Sequence, residues 1–525
     1  MKVLITDPIE QVCTDILQKE GIEVVAKPGL PPDEIKKIIG SYDGLVVRSG
    51  TKVTAEIIAE AKEMKVIGRA GAGVDNIDVA AATRKGIVVM NTPGGNTIST
   101  AEHTMALMMS LARNIPQAFR DLQNGKWERK KYTGTELMSK TLGVIGLGKV
   151  GREVAVRAKA FGMNIIGFDP LLAVDVATKL GIELFSLDEL FKRSDFITVH
   201  TPLTEETRGI LGEKAFAMCK QGVRVINCAR GGIIDEEALL KALESGKVAG
   251  AAFDVFIKEP PGDNPLLKHP KVIATPHLGA STEEAQEKVA KQIGEELADF
   301  FKGRGIAGAV NIIDYQSAVS DELRTYLVLA EKIGSLHAQL LTGKIKSITA
   351  SYRGELLQNS AELLSTAMLK GLLDKMMYSP VNFVNATVIA KEMGIAVSEK
   401  KEQDGKHHSH LLTVEVQTEG EGRKISGTVF GTSEMRIVGI DGYHFEIVPE
   451  GHFLFYSNKD RPGMLAGVGS LLATAEVNIA GMSLGRSAPG KKALAVMSVD
   501  GDIPESVLKE ISKIEGVFEV KSITL

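Results

Sequence analysis

The sequence predicts an α/β protein in which residues 1–305 form two doubly wound parallel-sheet units, followed by two smaller α+β units. Three observations lead there. Short β-branched runs alternate with helix-patterned stretches in two successive series, the pattern of parallel strands covered by helices. Glycine supplies 54 of 525 residues while aromatics make up only 5%, a composition suited to tight strand–helix turns. Beyond residue 305 the alternation gives way to paired strand runs and longer helices. Hydrophobic residues at 44% and charged residues at 24% exclude a largely disordered chain. A single core stops growing near ~250–300 residues, so this length predicts about three to four domains.

The elements follow in order. In residues 1–97 the strand candidates are 3–6, 23–26, 44–48, 66–69 and 87–91. Helix patterns separate them at 32–39 and 54–62, the second opening on Thr54 as an N-cap. One long helix is expected over 97–124, then the basic run Gly125-Lys126-Trp127-Glu128-Arg129-Lys130-Lys131. The second series has strands at 141–145, 164–168, 196–200, 223–227, 249–253 and 272–274, with a helix at 236–245. Residues 282–304 form one helical pattern, and 303–308, rich in glycine, read as a linker. Then come helices at 321–341 and 360–377, paired strands at 411–417 and 424–429, and a charged surface hairpin at 399–410. His407, His408 and His410 lie in that hairpin, a setting that argues against a metal site. Residues 452–525 read strand–helix–strand–strand–helix–strand.

Net charge is −4. No global basic field exists to hold nucleic acid, and an anionic substrate would need locally placed cations. The three cysteines, Cys13, Cys219 and Cys228, are odd in number and far apart, which predicts no disulfide framework and a reducing compartment. The N-terminus meets charge too early for a signal-peptide core. The uncharged run 104–112 falls far short of the ~20 residues of a membrane span. The expectation is a cytoplasmic protein with a small-molecule partner.

Chemistry enters at Thr141-Leu-Gly-Val-Ile-Gly146-Leu-Gly148-Lys149-Val150-Gly151, a strand, a G-x-G-x-x-G turn and a helix. Gly146 permits the tight turn, Gly148 lets the backbone approach a pyrophosphate, and Gly151 allows close helix–strand packing. The helix N-terminus offers free N–H groups to the anion. Asp169 ends the next strand, where a carboxylate accepts hydrogen bonds from both ribose hydroxyls and repels a 2′-phosphate. The pairing predicts a dinucleotide, NAD rather than NADP.

Three ionisable residues follow, each beyond the C-terminal end of a strand, where ligands bind in open parallel sheets. They are Arg230 in Asn227-Cys-Ala-Arg-Gly-Gly, Glu259 in Asp254-Val-Phe-Ile-Lys-Glu-Pro-Pro, and His277 in Thr275-Pro-His-Leu-Gly-Ala. Each alone is an ordinary loop residue; together, downstream of a dinucleotide turn, they suit oxidation of a 2-hydroxy acid. Histidine removes the hydroxyl proton near neutral pH. A carboxylate orients it, and a guanidinium binds the substrate carboxylate and polarises the forming carbonyl. Asp254 is placed to hold the nicotinamide side of the cofactor.

These motifs, with Gly68-Arg-Ala-Gly-Ala-Gly-Val-Asp-Asn-Ile-Asp78, Asn91-Thr-Pro-Gly-Gly-Asn96 and Pro276-His-Leu-Gly-Ala-Ser-Thr282, resemble the D-isomer-specific 2-hydroxyacid dehydrogenase family. The resemblance extends over almost the whole chain to the long branch of that family, whose members act on 3-phospho-D-glycerate and end in an ACT domain. It implies two Rossmann-like or flavodoxin-like domains, an α+β intervening domain and a ferredoxin-like ACT domain. The implied boundaries are 1–97 with 283–305 for substrate, 98–282 for NAD, 306–450, and 451–525. It implies Arg230, Glu259 and His277 as catalytic residues. Cofactor contacts are implied at Gly146, Gly148, Lys149, Val150, Gly151, Asp169, Thr201, Cys228, Ala229, Arg230, Asp254, His277, Leu278, Gly279 and Ala280. Relatives with Thr where this chain has Ala72 would make one hydroxyl contact more.

Arg48 and Arg69 end strands of the first unit, and Arg129 lies in the basic run. The resemblance brings all three toward the substrate phosphate, Arg129 from a neighbouring subunit, with backbone N–H groups at Gly95 and Asn96 toward the carboxylate. In the tail, Phe453-Leu-Phe-Tyr-Ser-Asn-Lys-Asp-Arg-Pro-Gly463 and Val477-Asn478 resemble an amino-acid-sensing ACT domain. That implies contacts at Asn458, Asp460 and Asn478, with L-serine as the effector, and a homotetramer. Two alternatives stand beside this reading: a related dehydrogenase for another 2-hydroxy acid, and a non-catalytic dinucleotide-sensing protein.

Overall fold

The computed structural model describes residues 1–312, 319–377, 380–403, 408–486 and 488–525; His407 lies outside them. The first sheet has five parallel strands: β1 (Lys2–Ile5), β2 (Glu23–Ala26), β3 (Gly44–Val47), β4 (Val66–Arg69) and β5 (Val88–Asn91), in the order β2-β1-β3-β4-β5. This is the flavodoxin-like order, with its switch point between β1 and β3. β3 is buried along its whole length, which is why it reads as an unbroken apolar run rather than an alternation. Thr54 occupies the N-cap position of the helix Ala55–Glu60, but its hydroxyl makes no capping bond.

The second sheet has seven parallel strands: β6 (Thr141–Ile145), β7 (Asn164–Phe168), β8 (Glu183–Leu184), β9 (Phe196–Val199), β10 (Val223–Asn227), β11 (Val248–Phe253) and β12 (Val272–Ala274). Their order, β12-β11-β10-β9-β6-β7-β8, is the Rossmann order, reversing between β6 and β9. Only β8, a two-residue edge strand, lacks a counterpart in the sequence reading. The single helix expected over 97–124 is two helices, Thr97–Arg113 and Ile115–Gln123. They break at Asn114, which adopts φ +53°. Pro116 has no N–H for the continuing helix and restricts the residue before it, and asparagine tolerates the left-handed conformation.

The helix Glu283–Phe301 returns to the first sheet, where Val289, Ile293 and Leu297 share a core with Val3, Val66 and Met90. The glycine-rich linker is not free. Asn91 N–H donates to Gly308 O at 2.9 Å and Val310 N–H to Val89 O at 2.8 Å, tying it along β5.

The third sheet is mixed: β13 (Ile345–Arg353), β14 (Ala396–Glu402), β15 (Leu411–Thr418), β16 (Gly422–Phe430), β17 (Glu434–Ile440) and β18 (Tyr443–Ile447), in the order β14-β13-β15-β16-β17-β18. Residues 404–407 of the expected 399–410 hairpin lie outside the described residues, and the strands on either side of them do not pair with each other. β14 runs parallel to β13, and β15 pairs with the other side of β13. β13 carries the more apolar inward face and takes the interior place, leaving the charged β14 at the edge. Helices Asp321–Leu340 and Ala361–Asp374 cover this unit.

The fourth sheet is antiparallel: β19 (His452–Lys459), β20 (Ile479–Arg486), β21 (Lys492–Val499) and β22 (Val517–Thr524), ordered β20-β21-β19-β22. With helices Met464–Thr474 and Glu505–Ser512 it is ferredoxin-like. One face packs Leu454, Tyr456 and Met497 on those helices. The other sends Phe453, Phe455, Leu494 and Val496 into the core of the third unit. Buried Arg423 crosses the same boundary, pairing with Asp441 at 2.8 Å and with Glu519. The last two units thus share one core. Among the described residues no helix is long and apolar enough to cross a membrane.

Candidate active site

The glycine turn meets each demand of a dinucleotide. Gly146 takes φ +91°, and a Cβ there would lie 2.7 Å from the His200 carbonyl. A Cβ on Gly151 would overlap the Gly146 carbonyl oxygen, so only glycine lets the helix Lys149–Ala160 approach this closely. Nothing lies within 4 Å of a Cβ on Gly148, which leaves its backbone open to a ligand. Asp169 sits beside the turn: Leu147 N–H and Leu171 N–H each donate to its carboxylate at 2.8 Å. Lys149 points elsewhere, donating from Nζ to Pro93 O at 3.1 Å. These features fit a dinucleotide.

His277 lies where two cavities meet. The first, ≈ 570 Å³, is lined by Arg48, Arg69, Asn96, Glu259, His277 and Ala280 among others. The second, ≈ 410 Å³, is lined by Asn96, Val150, Thr201, Cys228, Ala229, Arg230, Asp254, His277, Gly279 and Ala280 among others. Thr201 Oγ1 is buried there without a hydrogen-bond partner within the protein, so the wall offers a ligand one polar contact.

Glu259 is held by Phe256 N–H, which donates to Oε1 at 3.0 Å. Its Oε2 then stands 2.7 Å from His277 Nδ1. A carboxylate accepts, so the proton is assigned to Nδ1, leaving Nε2 as the basic nitrogen. His277 itself adopts φ +56°, held by its N–H donating to Asp254 O at 2.9 Å. The buried Asp254 side chain accepts from Thr275 Oγ1 at 2.6 Å, Leu278 N–H at 2.7 Å and Gly279 N–H at 2.8 Å. Burial alone would push its carboxyl up; these donors, with His103, outweigh burial and hold it below the usual range. Burial pushes the Cys228 thiol up to about 12, so its place is structural rather than nucleophilic.

Arg230 lines the second of these two cavities and not the first. Its Nε pairs with Asp75 at 2.9 Å and its Nη1 donates to Ala229 O at 2.7 Å, while Nη2 lies against Gly73. Arg48 Nη1 donates to Gln286 Oε1 at 3.0 Å. Arg69 is half-buried on the wall of the first cavity, and its Nε, itself shielded from solvent, has no partner. Its pKa falls to about 10, through burial first and the nearby Arg230 guanidinium second; Asp75 pulls against them, and Arg48, downward, and Asp7, upward, contribute less.

Two substrate candidates are not brought to these cavities. Gly95 packs under Val289, and its N–H donates to Thr92 O at 3.4 Å. Arg129 stands in an exposed 3-10 turn, Arg129–Tyr132, bordering a separate surface concavity with Trp127.

In the tail, Asn458 is buried, with Oδ1 unpartnered. Asp460 pairs with Arg486 at 3.2 Å, and Asn478 Nδ2 donates to Asp500 at 2.7 Å. Asn458 is in register with Ala493 and Arg486, whereas His452 and Ile479 both face Val499. Asn478 is thus at the opposite end of the sheet from Asn458, roughly 20 Å away at ~3.4 Å per residue. His410, from the supposed hairpin, pairs with Glu322 at 3.0 Å.

Asp75, His103 and Gln286 also belong to the site and escaped the sequence reading. Asp75 carried a visible signal, lying inside the 68–78 glycine motif. His103 and Gln286 sit on helices whose partners are remote in sequence.

Comparison with known proteins bears on all four units. Residues 105–279 match the model of the D-isomer specific 2-hydroxyacid dehydrogenase NAD binding domain. Residues 322–441 match the D-3-phosphoglycerate dehydrogenase intervening domain, and 452–516 the ACT domain. The chain is 45% identical to D-3-phosphoglycerate dehydrogenase of Archaeoglobus fulgidus, covering 100% of both chains. It is 41% identical to that of Bacillus subtilis, covering 100% of this chain and 99% of the other. Against that of Homo sapiens it is 44% identical over 91% of each. Among solved structures, D-lactate dehydrogenase from Aquifex aeolicus in complex with NAD and lactic acid aligns at TM-score 0.51 and 30% identity, covering 58% of this chain and 96% of that one. The apo D-lactate dehydrogenase from Escherichia coli aligns at TM-score 0.53 and 29% identity, covering 59% and 100%.

Proposed function

The chain belongs to the D-3-phosphoglycerate dehydrogenase family of D-isomer specific 2-hydroxyacid dehydrogenases, and we infer that Arg230, Glu259 and His277 are the groups through which it acts. It is an NAD-dependent oxidoreductase that converts 3-phospho-D-glycerate to 3-phosphohydroxypyruvate. The observation that carries the residue assignment is the 2.7 Å His277–Glu259 pair at the junction of an arginine-lined cavity and a dinucleotide-side cavity.

The Gly146–Gly151 turn, Asp169 and the wall from Thr201 to Ala280 would hold NAD, which would supply the hydride acceptor. His277 Nε2 takes the proton from the C2 hydroxyl. The imidazolium so formed keeps its Nδ1–H on Glu259, whose carboxylate offsets the new charge. Arg230 has Nη2 left over from its contacts with Asp75 and Ala229, and this donor serves the substrate carboxylate and the developing carbonyl oxygen. Asn96, on the wall of both cavities, supports the carboxylate. Arg48 and Arg69 take the phosphate, which supplies the partner that Arg69 Nε lacks. This cation cluster favours a phosphorylated substrate over a plain 2-hydroxy acid.

Arg129 reaches the phosphate only from a neighbouring subunit. Its segment follows the helix Ile115–Gln123, whose Ile115, Phe119 and Leu122 are exposed on one face, as a subunit interface requires. The ACT domain is the sensor of L-serine in this reading. Asn458 and Asp460 of one copy meet Asn478 of another across the edge strand β20, where Ile479, Met482 and Leu484 are exposed. Two such contacts per chain build a homotetramer, working in the cytoplasm on the first step of serine biosynthesis.

The test is NADH formation with 3-phosphoglycerate and with glycerate. His277→Ala abolishes turnover while NADH still binds; turnover near the wild-type level removes His277 as the base. Serine lowers the wild-type rate and Asn478→Ala flattens that response; a flat wild-type curve ends the serine reading.

A further inference from the structure

We propose that His103 is a positioning residue for hydride transfer: it fixes the Asp254 carboxylate and Thr275, and through them the backbone that holds the base His277. The proposal rests on the assignment of His277 above and extends it to a second histidine that does not touch substrate.

His103 lies on the inward face of the helix Thr97–Arg113. Its Nε2 is 3.2 Å from Asp254 Oδ1 and 3.0 Å from Thr275 Oγ1. Thr275 Oγ1 spends its own proton on Asp254 Oδ1 at 2.6 Å, so both atoms facing His103 are acceptors. Nε2 therefore carries a proton and shares it between them. Without that donor, Asp254 Oδ1 keeps Thr275 and Leu278 N–H, and Oδ2 keeps Gly279 N–H. Among the described residues, no other side chain of the helix Thr97–Arg113 donates to the carboxylate.

The consequence falls on His277. Residues 275–279 wrap around Asp254: Thr275, Leu278 and Gly279 donate to its side chain, and His277 N–H donates to its main-chain oxygen at 2.9 Å. His277 stands in the middle of that loop at φ +56°, a conformation that a histidine holds only when its surroundings impose it. A rotation of Asp254 releases both neighbours of the base and lets the loop relax toward ordinary backbone. The imidazole then leaves the line between Glu259 and the substrate hydroxyl. Displacements of about 1 Å in such an arrangement cost on the order of a hundredfold in rate. Here only one of several anchors is lost, so a loss of about tenfold is expected. The helix that bears His103 begins just after Asn96, a residue of both cavities, so one rigid element sets the substrate wall and the base together.

The experiment compares His103→Ala, His103→Gln and Thr275→Val in the full-length enzyme. His103→Ala lowers kcat about tenfold, KM for 3-phosphoglycerate stays within about twofold, and the deuterium isotope effect on kcat with C2-deuterated substrate rises. His103→Gln returns an N–H near the Nε2 position and restores most of the rate. Thr275→Val reproduces the loss, and the Ala/Val double variant is no worse than the worse single one, because the two act as one unit. If His103→Ala loses its fold, the glutamine variant and Thr275→Val carry the test alone. Wild-type kcat in His103→Ala, or a His103→Gln protein as slow as the alanine variant, overturns the proposal. A His277→Ala enzyme that keeps turning over would instead remove the assignment of the base.

Discussion

Arg69 offers a perturbation in which activity and stability move in opposite directions. Its guanidinium is half-buried near those of Arg230 and Arg48, and its shielded Nε has no partner. The fall from an ordinary 12.5 to about 10 reflects the cost of holding that charge partly out of water and beside two like charges. At 1.36 kcal/mol per unit, the cost is about 3 kcal/mol in the ligand-free protein. A phosphate dianion entering the cluster reverses the sign of the local field and recovers an amount of that order. Arg69→Met keeps much of the buried volume and removes the charge. The variant is therefore at least as stable as the wild type, yet loses about a hundredfold in kcat/KM for 3-phosphoglycerate, since 3 kcal/mol spans about two decades. Glycerate has no phosphate, and its kcat/KM changes by no more than about threefold. Thermal melting without ligand and initial rates with the two substrates check this. A variant that melts well below the wild type and keeps its preference for the phosphorylated substrate would make Arg69 a structural cation rather than a phosphate ligand.

Three further outcomes follow from the geometry. Asp169→Ala removes the carboxylate beside the glycine turn, so the preference for NAD over NADP falls at least tenfold in kcat/KM; unchanged discrimination would sink the assignment. Gly151→Ala forces a methyl onto the Gly146 carbonyl oxygen, so NADH titration followed by fluorescence shows affinity lost by more than a decade, while Gly148→Ala, with open space around it, folds normally and loses affinity only through the ligand. Glu296 is buried, its Oε2 lacks a partner, and burial raises its pKa from 4.5 to about 7. Because the folded state holds that proton more tightly, the native protein is relatively favoured below pH 4.5 and loses up to about 3 kcal/mol as pH rises to 7. Glu296→Gln matches the wild type near pH 4.5 and exceeds it in denaturant stability above pH 7; equal stability at pH 8 would contradict this.

Which features could be read from the sequence depended on how local their cause was. The glycine turn is explicit because each glycine answers a constraint set by atoms a few residues away, the Gly146 carbonyl under Gly151 being the clearest. Arg230, Glu259 and His277 were recognisable because each follows a strand end, and parallel sheets gather their strand ends on one side. The helix break was also written in the chain: Pro116 cannot continue a hydrogen-bonded helix, but the apolar periodicity across 97–124 masked it. His103 was silent for another reason. Its partner Asp254 is 151 residues away, and a histidine on an apolar helix face carries no mark of what it will meet. The shared core of the last two units had a signal, since Phe453-Leu454-Phe455-Tyr456 is unbroken where a one-sided antiparallel strand would alternate. Both faces of β19 had to be covered, and the helices of its own unit cover only one.

The same connectivity separates the residues proposed to bind the effector. A strand, a crossover helix and a second strand parallel to the first return the chain to its starting end. Asn458, near the end of β19, and Asn478, at the start of β20, must therefore lie at opposite ends of one sheet. A ligand as small as an amino acid cannot span that distance. If it touches both residues, it does so between two copies of the chain packed edge to edge in opposite directions. Such an arrangement places two equivalent sites on one interface, so Asn478→Ala in one copy and Asn458→Ala in the other would disable both residues at one site and leave the second intact. A mixed dimer of the two variants should then keep one serine site, while each variant alone keeps none; calorimetric titration counts them, and equal stoichiometry in all three samples would place the site within a single chain.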